Sequence, residues 1–79
     1  MTPLYGFLEG DTLGTLVLAD SNDTAAELCA KLQAAATVRV APFADAEVLY
    51  KGQPMLGRMT VGDLHMAPLE RIDVRRRVA

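Results

Sequence analysis

Catalysis needs side chains that exchange protons, attack, or hold a metal, and this sequence supplies few. His65 is the only histidine, Ser21 the only serine and Cys29 the only cysteine. A nucleophile is activated by a base within hydrogen-bond reach, and no such pair is offered by the spacing of these three. Cys29 falls on the apolar stripe of a predicted helix, where a thiol behaves as a small hydrophobe, so a core role outweighs a reactive one. His65 lies in a turn and reads as a solvated or hydrogen-bonded turn residue. There is no Cys-x-x-Cys, and the residue three before His65 is Gly62, so the Glu-x-x-His half of a carboxylate-bridged di-iron site is missing. Asp11, Asp20 and Asp23 cluster near turns and could hold a weak cation, although Asp at turns and helix starts is the structural default. The stretch "GRMTVG" has glycines at phosphate-loop separation but continues Asp63-Leu64 instead of Lys-Ser/Thr, and no strand leads through it into a long helix. It is not a phosphate loop.

The sharpest charge feature is the C-terminal run Arg71, Arg75, Arg76 and Arg77. On a strand Arg71, Arg75 and Arg77 share one face and Arg76 points to the other. Two readings stay open: a solvated face that blunts a sheet edge, and a docking row for carboxylates on a partner protein. Nucleic acid is disfavoured, because no aromatics interleave and the formal net charge is −2. The candidate partner-docking residues are therefore Arg71, Arg75 and Arg77, with the outer side of an N-terminal hairpin as a second surface. On this reading Arg75→Glu with Arg77→Glu weakens partner association and spares the fold; unchanged association would remove the role. Met55, Met59 and Met66 are core filler or an adaptable contact surface.

The elements that must position these groups are limited by length. A chain of 79 residues reads as a single domain over 1–79; at this size only about 60% of the unfolded surface is buried, which leaves room for one sheet and one helix. Half the residues are apolar and the charge is mixed, which argues against disorder. No run approaches a membrane span, and "MTPLYGFLEG" lacks a basic start followed by a long apolar run, so a cytoplasmic location is expected. A lone cysteine makes no internal disulfide, and the sequon Asn22-Asp23-Thr24 reads as helix-start chemistry.

Leu4 to Glu9 and Leu13 to Ala19 are strand-like runs around Gly10-Asp11-Thr12, where glycine permits the positive φ of a hairpin turn. On the second arm Leu16 and Leu18 share one face, Val17 and Ala19 the other, so that one face can pack on a core while the other, only mildly apolar, is partly covered. Thr24 and Glu27 form a capping box. Ala25, Leu28, Cys29, Leu32 and Ala36 then recur at helical spacing, predicting a helix to about Ala35 that packs closely through its small residues. In "TVRVAPFADAE", Pro42 breaks regular pairing, and Val38, Val40 and Phe43 are candidate plugs for the open end of the core. Glu47 to Lys51 reads as a short central strand, Gly52-Gln53-Pro54 as a turn and Met55-Leu56 as a minimal strand. Thr60 to Asp63 repeats the capping pattern for one helical turn. Ile72 and Val74 alternate with Arg71, Asp73 and Arg75 in a final strand. A hairpin, a helix crossing back and a last strand beside the first define an α+β fold of the β-grasp type, with a mixed sheet of four to five strands and one main helix.

The helix start "NDTAAELCAKLQ" and the later half, with "LYKGQ" and "TVGDL", resemble ubiquitin. A conjugated modifier would end in a flexible tail with two glycines; the ending "RRRVA" argues against conjugation. The segments "GFLEGDTLGTLVLADSNDT", "RVAP" and "MTVGDLHMAPLERIDV" resemble more closely the small gamma subunit of bacterial multicomponent toluene and alkene monooxygenases, of the toluene-4-monooxygenase type. That resemblance implies a non-catalytic chain within a hetero-hexamer of two copies each of three subunits, docked on the large subunit and supporting assembly. It implies no cofactor here: the di-iron centre that hydroxylates an aromatic ring or epoxidises an alkene would lie in the large subunit. A medium subunit, an effector protein and a reductase with a Rieske ferredoxin would complete the system, with neither nucleic acid nor membrane as partner. The alternative is a free-standing ubiquitin-like adaptor, for example in bacterial secretion.

Overall fold

The computed structural model describes residues 1–77. Strands β1 (Thr2–Leu8) and β2 (Gly14–Ala19) form the hairpin, followed by helix α1 (Ala25–Ala36), strands β3 (Ala46–Tyr50) and β4 (Gln53–Pro54), and the last strand β5 (Arg71–Arg76). The sheet order is β2-β1-β5-β3-β4, with β5 parallel to β1 and antiparallel to β3. This is the expected β-grasp: the last strand is delivered into the middle of the sheet.

Periodicity explains which face meets the helix. Leu4, Gly6 and Leu8 of β1, Val17 and Ala19 of β2, Val48 and Tyr50 of β3, and Ile72 and Val74 of β5 are buried, and α1 lays Leu28, Cys29, Leu32 and Ala36 over them. Close approach is enforced at Gly6, where a Cβ would come within 2.8 Å of Leu32 Cδ1. The helix start is fixed as expected, with the Thr24 N–H donating to Glu27 Oε1 at 3.1 Å. The Thr60–Asp63 box also forms, the Thr60 N–H donating to Asp63 Oδ2 and the Asp63 N–H to Thr60 Oγ1, each at 3.1 Å. It opens a run of turns over 61–65 in which the Leu64 N–H donates to the Thr60 carbonyl, the one helical turn expected there. This run is tied to the helix start, because the Val61 and Gly62 N–H groups donate to the carbonyls of Asp23 and Ser21.

Several expectations need correction. Leu13 lies outside β2; its N–H donates to Asp11 Oδ1, so it belongs to the turn. Val38 is no plug, at 87% exposed, while Val40 and Phe43 do pack against the core. The difference follows the hydrogen bonds that anchor the segment: Gln33 holds the Phe43 backbone through both its N–H and its carbonyl, whereas the Val40 N–H completes the helix end on Ala36. Gln53–Pro54 is the minimal strand and Met55–Leu56 is not; Met55 is buried with its N–H on the Val48 carbonyl, and Leu56 turns outward. Strand β5 stops at Arg76. Arg77 follows it, its N–H donating to the Asp45 carbonyl at the next register position after Ala46 and Arg76.

Candidate functional site

With α1 on one side, the other side of the sheet carries everything the core does not use. The register sets Tyr5 opposite Leu16 and Pro3 opposite Leu18 on the hairpin, then Tyr5 beside Arg71, Phe7 beside Asp73, and Glu47 opposite Arg75. The outer face thus divides into an apolar sector on β2 and β1 and a charged sector on β5 and β3. In the apolar sector Tyr5, Leu16 and Leu18 are 46%, 55% and 53% exposed. The Tyr5 and Phe7 rings stack with centroids 5.9 Å apart, and Gly14 leaves them space: a Cβ there would meet Phe7 Cζ at 2.8 Å. At one end the Leu69 N–H donates to the Pro3 carbonyl, which brings a further exposed leucine alongside.

The charged sector is paired within the chain. Arg71 donates through Nε and Nη2 to the Asp73 carboxylate, with Nη2–Oδ1 at 2.9 Å, and its guanidinium lies 4.1 Å from the centroid of the Phe7 ring. The hydrogen bond to Asp73 holds the Arg71 guanidinium further into its charged form than usual. Arg75 Nε donates to Glu47 Oε2 at 2.8 Å. Arg76 turns to the opposite face, as its parity requires, with its guanidinium 4.5 Å from the centroid of Phe43 and its N–H donating to Glu9 Oε1. Beside Arg71 an open hollow of about 360 Å³ is lined by Tyr50, Lys51, Gly52, Glu70, Arg71 and Asp73. There the Tyr50 hydroxyl donates to Glu70, which pushes the phenol up to about 12 and holds the Glu70 carboxyl below its ordinary range.

The remaining groups singled out by sequence are scattered. Cys29 is buried on the sheet-facing side of α1, and burial raises its thiol, the opposite of activation. His65 is exposed in the turn run with φ at 51°. Asp23 is buried; burial pushes its carboxyl up, but hydrogen bonds from Lys31 Nζ and the Asp20 N–H outweigh this and leave it lowered. Asp11 is held low by the Arg39 guanidinium, which ties the hairpin turn to the end of α1. Among the described residues no three His, Cys, Asp or Glu side chains converge on a metal position, and no helix is long and apolar enough to cross a membrane. The sequence missed which leucines face outward. The available signal was size: in "LVLA" the two large residues alternate with the two small ones, and a close-packed helix leaves room only for the small pair.

A family model for the toluene-4-monooxygenase system protein B (TmoB) matches residues 1–75. The chain belongs to the TmoB family. The match spans both sectors of the outer face and stops short of Arg76 and Arg77. Among solved structures, a chain of a toluene 4 monooxygenase HD complex with the inhibitor 4-bromobenzoate is similar to this TmoB-family protein at 28% identity and a TM-score of 0.87, over 96% of this chain and 98% of that one. A ubiquitin from Caldiarchaeum subterraneum is similar at 16% identity and a TM-score of 0.74, over 99% and 95% of the respective chains, which shows the ubiquitin-like fold. No curated protein sequence matches significantly.

Proposed function

We propose that this chain is the small, non-catalytic gamma subunit of a soluble, cytoplasmic multicomponent monooxygenase hydroxylase that oxidises small hydrocarbons. It docks on the large subunit and supports assembly of a hetero-hexamer with the large and medium subunits. The observation that carries this reading is the family match over nearly the whole chain, supported by a likeness that spans nearly all of a chain in a monooxygenase complex. The chemistry agrees in kind: the sole histidine is an exposed turn residue and the sole cysteine a core residue. The di-iron centre and the hydrocarbon pocket belong to the large subunit, which receives electrons through a Rieske ferredoxin and is tuned by an effector protein.

The test is native isolation from the host, with the mass, subunit composition and iron content of what accompanies the chain. A large iron-containing assembly with two bigger subunits is expected. An iron-free monomer, or a complex with a secretion protein, would overturn the reading in favour of a ubiquitin-like adaptor.

A further inference from the structure

We propose that the chain seats on the large hydroxylase subunit face-on, through the apolar sector formed by Tyr5, Leu16 and Leu18, with Arg71 at its border and Arg75 farther along β5. The occupant is a surface of that subunit that is apolar at its centre and carries carboxylates where it meets the two arginines. This rests on the gamma-subunit reading above.

Four observations converge. Helix α1 covers only the inner face, so the half-exposed leucines are left with no cover inside the described chain. Together with Tyr5 and Leu69 they expose on the order of 400 Å² of surface, the size of the largest apolar patch on a typical monomer, which is often functional. Two such patches face to face would bury roughly 800 Å², the scale of a lattice contact and short of a stable dimer, so a second copy meeting patch to patch is an insufficient occupant, whereas a larger partner can extend past the patch over the arginines as well. Finally, the arginines are only partly used. Arg71 spends Nε and Nη2 on Asp73, and Arg75 spends Nε on Glu47, which leaves Arg71 Nη1 and both terminal nitrogens of Arg75 without a hydrogen-bond acceptor among the described residues. Planar guanidinium donors, one at the border of an apolar patch and one beyond it, select carboxylates.

The structure also separates face-on docking from strand addition. Strand β2 is an edge strand, the usual entry for an added strand. Here Lys31 Nζ donates to the Leu18 carbonyl at 3.0 Å and Arg39 Nη2 to Thr15 Oγ1 at 3.0 Å, so charged side chains occupy that edge. The leucine side chains, perpendicular to it, stay free.

The experiment mixes the purified full chain with its own hydroxylase large and medium subunits, prepared without it, and measures binding by calorimetry and sedimentation. Leu16→Lys with Leu18→Glu should weaken association about 100-fold and Leu16→Thr, which keeps a strand-forming residue, about 10-fold, each with a thermal midpoint close to wild type. Ala30→Lys with Ala34→Glu, on the exposed side of α1, should leave binding unchanged. Wild-type binding that survives both leucine variants overturns the proposal while the subunit reading stands. Loss of binding through the alanine pair places the interface on the helix and also overturns it. A wild-type chain that sediments alone as a dimer, and becomes monomeric on Leu16→Thr, makes the occupant a second copy. Failure of the wild type to bind at all removes the subunit reading itself, and the proposal with it.

Discussion

On the inner face of the sheet Leu4, Val48 and Ile72 expose nothing, while on the outer face Leu16 and Leu18 stay half exposed, each one residue away from buried Val17 or Ala19. The side chains on the two faces belong to the same strands and have similar chemistry, but alternate residues of a strand point to opposite sides. Packing against α1 holds the fold together on one side, and the hydrophobicity of the other side adds little to the stability of the chain alone. A small sheet covered on one face keeps its core on that side, and the second face is free to serve something else.

The strongest way to break this comparison is at Leu32, which is fully buried over Gly6. Leu32→Ala should cost about 2–5 kcal/mol in urea unfolding, and a loss under 1 kcal/mol would mean that the inner face is not the source of stability. Next comes Asp23, 4% exposed and bonded to Lys31. Asp23→Asn should cost about 1–3 kcal/mol at neutral pH, toward the lower end because Lys31 is a third exposed and screened. Since the folded carboxyl is lowered, its contribution is present above the ordinary carboxylate value of about 4 and lost as pH falls through the folded value. The gap between wild type and variant should therefore close in acid; a gap that persists there would assign the effect to shape instead of charge.

A smaller effect is expected at Tyr50. Its phenol is raised to about 12 by Glu70, so its contribution is full below the ordinary value of about 10 and fades as pH rises through the folded one. Ultraviolet titration should show a phenol ionising near 12 that disappears in Tyr50→Phe; its persistence would detach Tyr50 from Glu70. The smallest effect is Leu16→Ala, within about 0.5 kcal/mol of wild type in the isolated chain. A cost comparable to that of Leu32→Ala would end the distinction between the two faces.

Much of the architecture could be read from local pattern. The stripe Ala25, Leu28, Cys29, Leu32 and Ala36 and the alternation around Ile72 and Val74 state a period, and the two Thr-led boxes state where turns begin. The segment from Thr37 to Asp45 has no period, so Val38 and Phe43 looked alike until the Gln33 hydrogen bonds distinguished them. The two-residue β4 was displaced because a single backbone bond, Met55 to Val48, decides where pairing ends. At the candidate site, the arginines were visible by charge, but their pairing was not. Glu47 meets Arg75 across 28 positions of sequence, and Phe7 lies beneath Arg71 only because β5 inserts next to β1. The apolar sector was hidden for a simpler reason: β2 is apolar on both faces, so alternation alone does not say which one the helix covers, and only the smaller size of Val17 and Ala19 hints at it.

The position of β5 between β1 and β3 also bears on how the protein is made. The hairpin is made before β5, so one edge of β1 has no partner until β5 arrives, and one edge of β3 likewise waits for it. Long-range pairing of this kind forms late, so the core cannot close while residues 71–76 are still inside the exit tunnel. Any partner that recognises the finished sheet can therefore meet it only after β5 has inserted between β1 and β3.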